Sequence, residues 1–324
     1  MSEITYGEAI NYALRDELSS DNSVVLFGED IIHNLYGYTE GLFERFGEKR
    51  VKNIPLSEAG VVGLASGAAM CGLRPVIDLT VPNFLFVAMD QIVSIASKSI
   101  YMSNGQYNLP ITIMTSSLAG SGSAAQHSDR LHSLFSGISG LKVIAPATPQ
   151  DMYSMLREAI QDNAPVLCFA DRKLTWTKEN VDFTLKVPVG KCKIVKEGSD
   201  LTIVSVSSCL KMLKDNLSEI EKRGISAEII DVRSIIPLDF ETIKKSVEKT
   251  GRVIICDTSN KNGSVANEIA SLISQNCFNS LKQPVEIVAA ENIPVPFVKV
   301  MEDEILVSAE KIMNRINEKF GDIR

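Results

Sequence analysis

Two rhythms of apolar residues alternate along this chain. Short apolar runs at 24–27, 75–80, 111–115, 142–145 and 166–169 read as strands, the first of them buried on both faces in the manner of a parallel sheet. Between them the spacing changes to three and four. Ile10, Ala13, Leu14 and Leu18 form one stripe, and Thr5 and Glu8 supply a capping box with Ile4 and Ala9 as its staple, so a helix is predicted over 5–20. Further helices are predicted over 58–70, 84–102 and 152–160, the last opened by Thr148, Pro149 and Asp151. From 171 to 200 the period fades among charged residues, Pro188 and Gly190, which reads as a connection with its boundary near 190. The alternation then resumes with strands at 201–206, 227–232, 253–256 and 285–289 and helices at 209–222, 240–249, 264–275 and 308–320. Such alternation predicts an α/β fold of two domains, 1–185 and 186–324, each a mostly parallel sheet flanked by helices.

Composition narrows the function classes. The 324 residues suffice for two cores, and 45 % apolar with 23 % charged residues excludes wholesale disorder. Thirty-three basic and 40 acidic residues give a formal charge of −7, which points away from nucleic acid or an anionic membrane as the main partner. The longest weakly polar run, 61–73, falls short of the roughly 20 residues a membrane span needs. Glu3, Glu8, Asp16 and Glu17 fit neither a secretory signal nor an acid-poor presequence, so a cytoplasmic location is expected. The six cysteines contain no C-x-x-C pair and are expected to be reduced, mostly core residues.

Chemistry-bearing positions are few. Gly60, Gly63 and Gly67 share one helical face and permit close helix packing, but neither a dinucleotide-binding G-x-G-x-x-G after a strand nor a P-loop is present. Histidine occurs only at 33, 127 and 132, and the five-residue spacing of the last two does not place a pair of metal ligands on one helix face. His127 follows a Ser/Gly-rich loop, a setting equally natural for a functional side chain and for a solvated one. Glu58 opens a helix of small residues, where the helix dipole by itself favours a carboxylate. The alternative role for that carboxylate is proton exchange with a ligand ring nitrogen as a general acid or base.

Several ordered motifs resemble a known family over nearly the whole chain. They are Leu26-Phe27-Gly28-Glu29-Asp30, Pro55-Leu56-Ser57-Glu58-Ala59-Gly60, Gly72-Leu73-Arg74-Pro75-Val76, Asp90-Gln91-Ile92, and Ala124-Ala125-Gln126-His127-Ser128. Gly140-Leu141-Lys142-Val143, Asp231-Val232-Arg233 with Ile236-Pro237-Leu238-Asp239, and Ile293-Pro294-Val295-Pro296-Phe297 continue the series. Together they resemble the beta subunit of the thiamine-diphosphate-dependent decarboxylating component of 2-oxo acid dehydrogenase complexes, in the pyruvate and acetoin branch. The resemblance implies a pyrimidine-binding domain followed by a transketolase-like C-terminal domain. It implies an alpha subunit in an alpha2-beta2 heterotetramer, with that partner holding the diphosphate and magnesium through a Gly-Asp-Gly motif. No Gly-Asp-Gly occurs in this chain. It also implies transfer of the acyl group to a lipoyl-bearing acyltransferase core.

Carried over by position, Glu58 resembles the glutamate that hydrogen-bonds the aminopyrimidine ring. Phe84 resembles the aromatic residue on the pyrimidine face, Leu56 a neighbouring contact, and Glu29 a polar residue at the cofactor. His127 resembles the histidine implicated in acyl transfer to lipoamide. Ile111, Ala159, Asp162 and Ala164 match positions whose backbone carbonyls hold potassium in some relatives. The chain departs from the family pattern in four places. Gly137-Ile138-Ser139-Gly140-Leu141 replaces His-x-Pro-Gly-Leu, Gly263-Ser264 replaces a double glycine, and Asp257-Thr258 and Asn292-Ile293 alter two further motifs. A split-transketolase small subunit and a non-catalytic assembly paralogue are the competing expectations.

Overall fold

The computed structural model describes residues 1–321. The chain forms two compact units: Met1–Leu118 with Gly137–Val189, and Ala119–Ser136 with the chain from Gly190 onward. The segment Ala119–Ser136, which carries His127, therefore packs with the C-terminal unit although it lies inside the first half of the sequence.

In the first unit the strands run in the order Lys142–Ile144, Val166–Asp171, Thr112–Ser117, Arg74–Asp78, Val24–Gly28 and Val51–Asn53, every neighbouring pair parallel. Their side chains are almost wholly buried in the central strands, as unbroken apolar runs demand. A separate ribbon pairs Ser2–Thr5 antiparallel with Lys178–Val181. The helix Tyr6–Ser20 starts at the expected capping box: Thr5 accepts from the Glu8 N–H at 3.1 Å and the Glu8 carboxylate accepts from the Thr5 N–H at 2.7 Å. It buries Ile10, Ala13, Leu14 and Leu18 and packs beside the helix Pro149–Gln161. Between these helices the buried Glu17 accepts from Arg157 Nε at 2.6 Å and from Gln161 Nε2 at 2.9 Å.

The second unit contains a five-stranded sheet ordered Glu286–Ala290, Val253–Asn260, Leu201–Ser205, Ala227–Asp231 and Lys193–Lys196. The first four strands are parallel and the last is antiparallel. Helices Phe240–Thr250, Val265–Asn276 and Ala309–Phe320 bury one apolar stripe each. Ser264 caps the second of these by accepting from the Asn267 N–H, so the residue standing where the family has its second glycine starts a helix.

Two predicted helices break. The expected helix over 84–102 is a 3-10 turn at Pro82–Phe86, a π-helical stretch at Gln91–Ala96 and an α-helix only from Ser97 to Met102. Ser97 and Ser99 donate their hydroxyls to the carbonyls of Val93 and Ile95, each at 2.7 Å, and compete with the regular ladder there. The helix expected over 209–222 is divided at Asn216, whose side chain donates to the Met212 carbonyl at 2.9 Å. In the variant loop 137–141, Lys98 donates to the Ser139 carbonyl and hydroxyl at 3.0 and 2.8 Å, a tether the family proline would not offer in full.

All six cysteines are free; Cys168, Cys209, Cys256 and Cys277 are buried, Cys192 is half-buried and Cys71 is exposed. Burial pushes the Cys168 thiol up to about 12, which keeps it unreactive. No helix among the described residues is long and apolar enough to cross a membrane.

Replacing Glu17 by Ala removes the shared acceptor between the two helices. Arg157 remains partly solvent-accessible, so the expected loss is about 2 kcal/mol, below the ~3–5 kcal/mol of a fully buried pair. Hydrogen exchange localises the effect: faster exchange is expected in Tyr6–Ser20 and Pro149–Gln161 and not in the C-terminal unit.

Candidate active site

The site begins where two parallel strands end together. Gly28 at the end of Val24–Gly28 lies opposite Asp78 at the end of Arg74–Asp78, and Glu29 follows directly. The C-terminal edge of a parallel sheet is where open α/β folds bind ligands. Only glycine fits at 28: a Cβ there would lie 2.4 Å from Ile31 Cγ2 and 3.1 Å from Asp78 Cβ. Beyond each strand the backbone turns through the left-handed region, with φ of 51° at Asp30 and 53° at Thr80. Non-glycine residues hold that conformation at a cost, and such positions gather at functional edges. Here the Thr80 N–H donates to Asp78 Oδ1 at 2.9 Å, fixing the second turn.

Glu29, Glu58 and Asp78 are among the buried carboxylates of this unit, each 7 or 8 % exposed. Glu58 is the first residue of the helix Glu58–Met70, with its charge at the positive end of the dipole. Burial, and then the charges of Glu58, Asp30 and Asp78, raise the Glu29 carboxyl to about 7. Burial raises Asp78 to about 6 against the opposing bond from Thr80. Glu29 Oε1 is buried with no hydrogen-bond partner. A carboxyl that is half-protonated near neutrality, with an unmet oxygen, is suited to exchange a proton with a bound ring nitrogen.

The loop after Asp30 is held firmly. Asn11 donates to the carbonyls of Tyr38 and Glu40 at 3.0 Å each, Thr39 donates to the Ile31 carbonyl at 2.6 Å, and the Tyr38 hydroxyl lies 3.2 Å from both Ser116 Oγ and Thr175 Oγ1. Tyr36 has its phenol raised by burial and then by the Asp78 charge, with Arg172 opposing. Arg172 stacks over its ring at 5.4 Å.

Of the sequence-predicted residues, Glu29 and Glu58 are thus within electrostatic reach of each other. Leu56 lies two residues ahead of Glu58 and is 77 % exposed, while Phe84 is half-buried in the Pro82–Phe86 turn. His127 belongs to the other unit, half-buried on the Ala119–Ser136 loop, its N–H donating to the Ala124 carbonyl at 3.4 Å. Of the four residues expected to hold potassium, Ala159 and Asp162 lie at the end of the Pro149–Gln161 helix, Ala164 follows it, and Ile111 precedes the strand Thr112–Ser117. The Ile111 carbonyl accepts from the Val166 N–H at 2.9 Å, Ala159 from the Asp162 N–H at 3.2 Å, and Asp162 from Arg74 at 3.0 Å. The Ala164 N–H donates to Asp162 Oδ1 at 2.9 Å, and the Asp162 carboxylate is paired with Lys142.

Asp78 and Tyr36 are absent from the sequence-based site. The signal for Asp78 is a carboxylate set inside an otherwise apolar strand run, 75–80; no periodic signal marks Tyr36. Among the described residues no group of three or more His, Cys, Asp or Glu side chains is arranged to hold a metal ion.

Comparison with known proteins agrees with this architecture. Residues 2–176 match the transketolase pyrimidine binding domain and residues 190–312 the transketolase C-terminal domain. The chain is 37 % identical to the acetoin:2,6-dichlorophenolindophenol oxidoreductase subunit beta of Bacillus subtilis, covering 98 % of each protein. It is 35 % identical to the 2-oxoisovalerate dehydrogenase subunit beta of the same organism, covering 96 % of this chain and 97 % of the relative. It is 37 % identical to the pyruvate dehydrogenase E1 component subunit beta of Rickettsia bellii, covering 97 % and 98 %. A solved structure described as a split-gene transketolase, inactive beta4 tetramer, shares the fold at a TM-score of 0.81 and 20 % identity, over 99 % of both chains. With both domains matched and relatives above 30 % identity spanning the full length, the chain belongs to the transketolase-like beta-subunit family of the thiamine-diphosphate-dependent pyruvate, acetoin and branched-chain 2-oxo acid dehydrogenases.

Proposed function

We propose that this chain supplies the pyrimidine half of a thiamine-diphosphate site in a pyruvate-type 2-oxo acid or acetoin dehydrogenase, and passes the acyl group to a lipoyl domain. The buried carboxylate group of Glu29, Glu58 and Asp78 carries the reading, because an aminopyrimidine requires a proton-exchanging acid in a water-poor setting. The donor set fits that half of the cofactor: Glu29 has a buried oxygen awaiting a partner, and Glu58 lies at a helix start. It does not fit the diphosphate and its magnesium, for which the chain has neither a Gly-Asp-Gly motif nor, among the described residues, a metal-holding cluster. Those functions fall to an alpha partner, in an alpha2-beta2 assembly.

The family cofactor supplies, when bound, a nucleophilic carbon and a sink for the electrons released by decarboxylation or cleavage. Glu58 would hold and move the proton at the ring nitrogen of the pyrimidine, with Glu29, raised to about 7 by burial and neighbouring charge, as a second proton carrier beside it. Phe84 would pack against the ring face and Leu56 would contribute a neighbouring contact. His127 delivers a proton to the lipoyl sulfur that leaves as the disulfide opens. The domain division at 1–185 and 186–324, a cytoplasmic location and a lipoyl acyltransferase core as onward partner belong to the same reading.

Exposed apolar side chains support an alpha partner. Leu64 on the Glu58–Met70 helix is 59 % exposed, and Gly67 one turn on is exposed with open space where a side chain would stand, leaving room for another backbone.

Co-expression with an alpha subunit from the same genome tests the half-site. Dye reduction dependent on thiamine diphosphate is expected with pyruvate, acetoin or a branched-chain oxo acid only when both chains are present; turnover by the beta chain alone would contradict it. Within the assembled complex, Glu58→Gln is expected to lower kcat by about 10²-fold or more, the range of a lost acid-base group, and a change under threefold would remove Glu58 from the chemistry. The backbone carbonyls of Ile111, Ala159, Asp162 and Ala164 are read as a potassium site. Replacing choline by potassium at constant ionic strength is expected to raise the thermal midpoint, and an unchanged midpoint would dismiss the ion.

A further inference from the structure

The loop that carries His127 is pinned to the C-terminal unit on both sides of that residue. Ahead of it, the fully buried Glu302 accepts from the Gly120 N–H at 2.7 Å with Oε1 and from the Gly122 N–H at 3.0 Å with Oε2. Both glycines have positive φ, 92° and 68°, and Ala124 holds φ of 61°, so the backbone follows a path that free loops seldom keep. Beyond His127, Ser128 is fully buried and Arg130 donates to Asn260 Oδ1 at 2.9 Å. His132 Nε2 lies 2.8 Å from Asp257 Oδ1 with both side chains buried.

The second anchor extends into a network. Asp257 also accepts from the Ser259 N–H at 2.9 Å and the Ser259 hydroxyl at 2.7 Å. Ser133 donates to Ser259 at 3.0 Å and accepts from the Val265 N–H at 2.9 Å. Burial penalises the Asp257 charge, but His132 and the two Ser259 bonds outweigh it and hold the carboxyl below its ordinary range. Two buried carboxylates, satisfied by backbone and histidine, are a costly way to fix an ordinary surface loop. The cost has a purpose if the loop must present one side chain in one place.

We propose that Glu302 and the His132–Asp257 pair are positioning residues for acyl transfer, fixing the Ala119–Ser136 loop so that His127 meets the lipoyl disulfide in a single conformation. The inference rests on the reading of His127 given above. Glu302→Gln keeps shape but turns an amide donor toward one of two N–H donors, and Asp257→Asn removes the charge that faces His132 and reverses the Ser259 hydroxyl bond, so each loosens one anchor without opening a cavity.

The test uses the alpha–beta complex with thiamine diphosphate and magnesium. Two rates are measured: reduction of 2,6-dichlorophenolindophenol, which needs no lipoyl group, and reductive acylation of a free lipoyl domain followed by mass. Glu302→Gln and Asp257→Asn are each expected to lower lipoyl acylation at least tenfold, in kcat rather than in KM for the lipoyl domain, with the dye rate within twofold of wild type. Glu302→Asp, which can still accept from both N–H groups, is expected to recover part of the loss. If His127→Ala abolishes acylation while the anchor variants leave it intact, the positioning role is wrong and the His127 reading stands. If His127→Ala leaves acylation unchanged, that reading fails and the proposal with it. Equal loss of both rates would show a merely structural role and overturn the proposal. Hydrogen exchange of the wild-type complex is independent of any variant: slow exchange is expected at Gly120 and Gly122, and exchange as fast as an open loop would overturn it too.

Discussion

Two parallel strands whose ends lie side by side force acidic side chains into a space with little water, and the rest of the first unit is arranged around that placement. Glu29 and Asp78 leave neighbouring strands at the same edge, with the start of the Glu58 helix close enough for its charge to act on Glu29. Burial, with neighbouring charge at Glu29, raises Glu29 to about 7 and Asp78 to about 6, so protons are retained there near neutrality. The absent Cβ at Gly28, the left-handed turns at Asp30 and Thr80, and the tethered loop up to Glu40 each preserve this crowding. Folding gains no stability from such an arrangement, which makes a ligand the natural explanation for it.

Asp257 and Glu302 of the second unit are the opposite case. Asp257 is surrounded by donors and is kept ionised, whereas Asp78 has a single backbone donor and Glu29 retains an unmet oxygen. The contrast separates an anchoring acid from a reacting one. Anchoring acids are saturated within the chain; the reacting acids remain incomplete until something binds.

Much of the fold was legible because strands buried on both faces read as unbroken apolar runs, and because Thr5–Glu8 and Thr148–Asp151 mark helix starts in their own chemistry. The short strands Val51–Asn53 and Lys193–Lys196 escaped, being three or four residues long and mixed in polarity. The predicted helix over 84–102 failed since serine hydroxyls bonding to carbonyls four residues back leave no trace in an apolar period. Glu58 and His127 stood out through motifs rather than physics, which by itself left each balanced between two roles. Asp78 and the His132–Asp257 anchor were hidden because their meaning lies in pairings 50 or more residues away: Asp78 beside Gly28, His132 against Asp257.

Glu29 carries a proton near neutral pH because it is buried and, after that, because the charges of Glu58, Asp30 and Asp78 surround it. Carboxyl carbon NMR, on protein labelled at glutamate, follows its titration directly. A midpoint near 7 is expected for Glu29, moving down toward the ordinary value of 4.5 in Glu58→Gln. A Glu29 midpoint already near 4.5 in the wild type, or one that Glu58→Gln leaves unmoved, would contradict the account.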